Sequence, residues 1–138
     1  MVKNLVIKSP NTLGYIDKSG TPLVFLRLFD ILKRRNVFVT ARVDTRFTGS
    51  IIIPSEIYLG LRLQMFEEPM KEVVGKLSTG VIIGIRSSKA IVEIGDRSTS
   101  CDVYTIPSPI QASIGLELIK TWKIKLDWIN KKVTINST

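Results

Sequence analysis

Twelve carboxylates and no histidine are available for acid–base chemistry in this chain of 138 residues. The missing imidazole removes Ser-His-Asp and Cys-His nucleophile systems, together with zinc sites that depend on histidine. The single cysteine, Cys101, excludes an intrachain disulfide and any CxxC motif; it reads as a small buried or strand-facing side chain. Among the carboxylates, Asp44 has the most suggestive setting. It opens Asp44-Thr45-Arg46-Phe47-Thr48-Gly49-Ser50, which follows an alternating stretch and runs into Ile51-Ile52-Ile53-Pro54. Taken alone, an Asp-Thr at a strand end is commonly a turn residue whose carboxylate caps backbone N–H groups. A second segment, Ala112-Ser113-Ile114-Gly115-Leu116-Glu117-Leu118-Ile119, precedes two short apolar stretches between Lys123 and Ile135.

The elements that must position these residues are mostly strands. Leu5 to Lys8 is a candidate strand, and Lys18-Ser19-Gly20-Thr21-Pro22 a turn before the apolar run Leu23 to Leu32, which reads as strand. After a polar turn at Lys33 to Asn36 the alternation is clean: Val37, Val39, Ala41 and Val43 share one face, Phe38, Thr40, Arg42 and Asp44 the other. Ser50 to Pro54 is a short apolar run, and Pro54-Ser55-Glu56 opens a helix through Leu61. Val73 to Ile85 reads as a hairpin turning near Ser78-Thr79-Gly80, with further strands at Ala90 to Ile94 and Cys101 to Ile106. A short helix is expected over Leu116 to Trp122, with Leu116, Ile119 and Leu118 facing inward. Ile124, Leu126 and Trp128 alternate, Asn130-Lys131-Lys132 turns the chain, and Val133 and Ile135 return. Trp122 and Trp128 are expected in the core or in a subunit interface. Asp102 and Asp127 are expected on the surface of alternating strands. The fold class is mostly β, a barrel or sandwich with one or two short helices.

The Asp44 segment resembles the active-site loop of retropepsin-like (clan AA) aspartic peptidases, in which a strand delivers Asp-Thr/Ser-Gly and a short aliphatic strand follows. The Phe47-Thr48-Gly49 stretch, the aliphatics and Pro54 are similar to the small microbial and archaeal members. Residues 112–119 resemble the family's later element, where hydrophobic residues and a glycine (Ile114, Gly115) precede a short helix and a closing hairpin. The resemblance covers roughly Thr21 to Ile135, within a single domain of residues 1–138 whose first twenty residues read as an added N-terminal strand. It implies a closed acid-protease β-barrel and no cofactor or metal. One Asp44 per chain implies a homodimer in which twofold symmetry sets the two aspartates side by side, sharing one proton. It further implies that Thr45 hydrogen-bonds across the interface, that Ser78-Thr79-Gly80 is a flap tip over an extended peptide or unfolded protein substrate, and that terminal strands complete the dimer.

The pattern departs at Arg46, where the family has glycine. Glycine lets the loop turn tightly and aim backbone N–H groups at the carboxylates. A guanidinium near the dyad favours two charged carboxylates and opposes a shared proton; one pointing to solvent leaves the fold intact. Ser113 stands at a usually aliphatic position. Ser113 is a small change at a loop; Arg46 is the departure that supports a second reading, a non-catalytic dimerisation or peptide-binding module on the same fold. A third, a basic nucleic-acid-binding β-barrel, rests on the net charge of +8 and the Lys33-Arg34-Arg35 cluster. Against it stand the lack of a phosphate loop, helix-turn-helix or RNP-type motif. No apolar run approaches the roughly 18 to 20 residues that span a bilayer, and the N-terminus lacks a secretory pattern, so the expected location is the cytoplasm.

Overall fold

The computed structural model describes residues 12–67, 73–76 and 82–135. Its strands are β1 (Thr12–Ile16), β2 (Pro22–Asp30), β3 (Asn36–Val43), β4 (Ile51–Ile52), β5 (Val73–Lys76), β6 (Ile82–Ile94), β7 (Arg97–Thr105), β8 (Ser113–Ile114), β9 (Ile124–Asp127) and β10 (Lys132–Ile135). Two short helices, α1 (Ser55–Gly60) and α2 (Leu116–Thr121), and a 3-10 turn at Leu63–Phe66 complete the described elements. Six strands close a ring in the order β6-β7-β4-β8-β3-β2, because β2 pairs with β3 on one side and, through Arg27 to Asp30, with β6 on the other. The first part of β2 pairs instead with β1, which continues to β10 and β9. This is the expected closed barrel of the acid-protease type, with a three-strand extension.

The core follows from alternation. Val24, Leu26 and Leu28 of β2 meet Val39 and Ala41 of β3, Val92 and Ile94 of β6, and Val103 of β7 inside the barrel. Burying each of the larger side chains contributes about 1.5–3 kcal/mol. The outward positions of β2 are Leu23, Phe25, Arg27 and Phe29, so both faces carry apolar residues; that is why periodicity could not separate strand from helix there. Tyr58 of α1 is fully buried, and its hydroxyl donates to Glu67 Oε2 at 2.5 Å while Arg86 Nε holds the same oxygen at 3.0 Å.

Asp30 ends β2 and shapes the turn that follows. Its carboxylate accepts N–H groups from Leu32 (2.9 Å), Arg34 (3.3 Å) and Arg35 (2.6 Å), and Lys33 takes a positive φ of 56°. Burial alone pushes this carboxyl upward, but the three backbone donors and the nearby Arg35 charge outweigh it and hold the group below its ordinary value.

Several expectations need correction. The strand at Ala90 to Ile94 is not separate from the hairpin: β6 runs unbroken from Ile82, since Arg86 to Lys89 contains no Gly or Pro and pairs residue by residue with Asp102 to Thr105 of β7. β7 begins at Arg97, four residues earlier than expected, after a two-residue turn at Gly95-Asp96 in which Gly95 has φ +58°. Of the three α2 side chains expected inside, Leu118 is the buried one, and Leu116 and Ile119 are half-buried. Of the two tryptophans expected in the core or a subunit interface, Trp122 is in the core and Trp128, beyond the end of β9, is exposed and so outside the core. The candidate strand at Leu5 to Lys8 and the turn at Ser78-Thr79-Gly80 lie outside the described residues.

Candidate active site

Asp44 is the first residue beyond β3, and its position is fixed by a strand that arrives much later in the chain. β8 lies between β3 and β4, parallel to the first and antiparallel to the second. Asp44 N–H donates to Ile114 O at 2.9 Å, continuing the β3–β8 ladder past its last paired residues, Val43 and Ile114. The loop from Asp44 to Gly49 then turns back to β4. Phe47 N–H returns to Asp44 O at 3.2 Å, closing a four-residue turn.

The far side of the loop is fastened to Gly115 and the start of α2. Gly115 N–H donates to Ser50 O at 2.8 Å, Leu116 N–H to Phe47 O at 2.8 Å and Glu117 N–H to Gly49 O at 3.2 Å. Gly115 is required here by space: a Cβ would lie 2.6 Å from Phe47 Cδ2, with the carbonyl oxygens of Phe47 and Gly49 nearer still. Phe47 packs edge-on against Tyr104 of β7, ring centroids 6.1 Å apart. Ser50 is fully buried and its hydroxyl donates to the Asp102 carbonyl. The two segments singled out in the sequence therefore meet, and Asp44, Phe47, Gly49, Ile114 and Gly115 form one hydrogen-bonded unit. Thr45 and Thr48 stand exposed on its outer side. The base of the β5–β6 hairpin, Val73 to Lys76 against Ile82 to Ile85, is paired as expected.

Arg46 reconciles the two readings of its side chain. Its backbone N–H donates to Asp44 Oδ1 at 3.0 Å, the bond expected of glycine at this place. It can do so because Arg46 is not among the residues with positive φ, so a Cβ carries no conformational strain here. Its Nε also approaches Asp44 Oδ1, at 3.4 Å, but the side chain is 89% exposed against 22% for Asp44. The guanidinium lies over the carboxylate from the solvent side, where such pairs contribute about 0–1 kcal/mol. The carboxylate–N–H bond is also the capping geometry of an ordinary Asx turn. Ser113, the other departure, is buried with its hydroxyl donating to Gln111 O at 3.3 Å, so its polar atom has a partner. Cys101 is buried, as expected, and burial pushes its thiol up to about 11 despite a hydrogen bond with Ser50.

Solved structures of retropepsin-like aspartic proteases share this fold. A retropepsin-like aspartic protease from Rickettsia conorii superposes with a TM-score of 0.61 at 14% identity, over 91% of this chain and 99% of that one. EIAV protease, complexed with the inhibitor HBY-793, gives 0.57 at 12% identity, over 80% and 96% of the two chains. The retroviral protease-like domain of Ddi1 from Leishmania major gives 0.56 at 16% identity, over 84% and 90%. No protein-family model and no curated protein matches the sequence. The fold is the one seen in the retropepsin-like aspartic proteases. At these identities the likeness is one of fold.

Proposed function

We propose that the chain is an aspartic-type endopeptidase that works as a cytoplasmic homodimer, each subunit contributing Asp44 to a water-activating pair. The observation that carries this reading is the placement of Asp44: a partly open carboxylate at the end of β3, on a loop clamped by Gly115, on a retropepsin-like barrel. Across a twofold axis the two carboxylates share one proton. The charged one takes a proton from water as the water oxygen attacks the scissile carbonyl carbon. The protonated one gives its proton to the carbonyl oxygen; as the C–N bond breaks, the first carboxyl passes the water proton to the leaving nitrogen and the second takes a proton back from a hydroxyl of the tetrahedral intermediate. Thr45, exposed beside Asp44, would hydrogen-bond across the axis. Ser78-Thr79-Gly80 would cover an extended peptide that adds as a strand.

Two further observations favour a dimer. Among the described residues β9 ends the order of strands with an unpaired edge, and beyond it Trp128 and Ile129 are exposed, Ile129 by 91%. Such an edge pairs readily with a second chain. Arg42 Nε, two residues before Asp44, is buried without a hydrogen-bond partner among the described residues. It is a donor that a neighbouring subunit could satisfy.

The Arg46–Asp44 contact supports a second reading, a dimeric peptide-binding module without hydrolysis, since two guanidinium groups would face two carboxylates. Cleavage of an unfolded protein between about pH 3 and pH 7 separates the two. We expect activity that Asp44→Asn abolishes and Arg46→Gly raises. A dimer that folds, binds peptide and cleaves nothing, with or without Arg46, would overturn the peptidase reading and leave the module.

A further inference from the structure

We propose that the outer face of the β1–β2–β3 sheet is a binding surface for single-stranded nucleic acid. Outward positions on a barrel strand are ordinarily polar, yet here they hold three exposed rings, Tyr15, Phe25 and Phe38, the last 76% exposed. Tyr15 and Phe25 lie 5.7 Å apart, centroid to centroid. Phe38 is diagonal to Phe25, because Phe25 pairs with Thr40 and Arg27 with Phe38. The three rings thus step across neighbouring strands in one line, a stacking platform whose faces suit any base.

Cations are interleaved with the rings. The Arg27 guanidinium carbon sits 4.9 Å from the Phe29 centroid and 5.1 Å from that of Phe38, and Lys33 Nζ is 5.2 Å from Phe29. Arg27 is further held by its Nε bond to Asn36 Oδ1, 3.1 Å, which fixes the guanidinium against the sheet. Lys132 pairs with Tyr15 at the other end of the line. Two carboxylates border this side: Glu93, opposite Arg27 on β6, and Asp127, opposite Lys132 on β9, the latter bonded to Asn130. With a net charge of +8, the chain attracts a polyanion from a distance.

The same arrangement disfavours a second copy as the occupant. Twofold contact centred on this face would bring Arg27 or Lys132 of one copy towards the same cations of the other and bury like charges together. Phe38 lies six residues before Asp44, roughly 20 Å along an extended strand, so a bound strand leaves the Asp44 loop open.

Fluorescence polarisation of the full chain with a labelled oligothymidine of about 12 nucleotides, beside a duplex of equal length, tests this. The single strand should bind tighter than the duplex. Phe25→Ala and Phe38→Ala should each weaken binding severalfold, and together roughly tenfold or more. Contacts from Arg27, Lys33 and Lys132 predict a log–log salt slope near about −2, a loss of roughly 16-fold between about 50 and 200 mM salt. Arg27→Gln should reduce that slope by about 0.7. All these side chains project from the barrel, so the variants are expected to keep the wild-type circular dichroism. Equal binding of duplex and single strand, or double-alanine binding equal to wild type, would reduce the effect to general charge attraction and overturn the proposal. So would no binding at low salt, or a fall in molecular mass on Phe38→Ala, which would make the face a contact between copies.

Discussion

Replacing Gly115 by alanine should dislodge the Asp44 loop while leaving Asp44 itself chemically unchanged. A Cβ at this position meets Phe47 Cδ2 at 2.6 Å and two backbone carbonyl oxygens at shorter range. The ring could rotate away, but the carbonyls of Phe47 and Gly49 belong to the loop backbone and must move with it. Separating β8 from the loop stretches the bonds from Gly115 to Ser50 and from Leu116 to Phe47, both 2.8 Å, and from Glu117 to Gly49, 3.2 Å. Three backbone hydrogen bonds, each with a net value of about 0.5–1.5 kcal/mol, give an expected destabilisation of about 2–4 kcal/mol. Urea unfolding followed by tryptophan fluorescence measures it, since Trp122 lies in the core just after α2. Any peptidase activity should fall further than the loss of folded protein explains, because the carboxylate is displaced in the molecules that do fold. A variant within about 0.5 kcal/mol of wild type would refute the reasoning, showing that the loop and β8 adapt without losing their bonds.

Asp30→Asn should destabilise at neutral pH, with the deficit shrinking as pH falls. The folded carboxyl lies below its ordinary value, so its stabilisation is present above the unfolded range near about 3.9 and lost as pH drops through the folded value; unfolding free energies at about pH 7 and pH 3 should therefore converge for the two proteins. The Cys101 thiol, pushed up to about 11 chiefly by burial, should react with a disulfide reagent near pH 8 on the order of 100-fold more slowly in folded than in urea-unfolded protein; comparable rates would show that the strand opens readily. If β9 and its turn form the subunit contact, Trp128→Ser with Ile129→Ser should lower the mass seen by sedimentation while the monomer keeps its circular dichroism. An unchanged dimer would place the contact elsewhere.

The barrel was legible where one face is polar. Val37 to Asp44 alternates cleanly, and β3 follows that pattern, with Val39 and Ala41 buried and Phe38 and Thr40 exposed. The link between Asp44 and Ile114-Gly115 was legible only through family resemblance, since no local rule pairs residues so far apart. Asp30 was missed because a carboxylate ending an apolar run resembles any surface charge until the backbone turns around it. The continuity of β6 was hidden by Arg86-Ser87-Ser88-Lys89, which reads as a polar connection but is a stretch of strand inside the wall. The loop turns without a positive φ at Arg46, so its backbone does not demand the glycine expected there, something side-chain identity does not reveal.

The insertion of β8 between β3 and β4 also orders events in time. Asp44 is made early, but the strand that gives its loop a shape is reached only at Ser113, after both long hairpin strands have been synthesised. Closing so long a stretch costs entropy that only late contacts offset, so the loop should be among the last parts to settle. A nascent or truncated chain ending before Ser113 carries the aspartate without the scaffold that would make it a site.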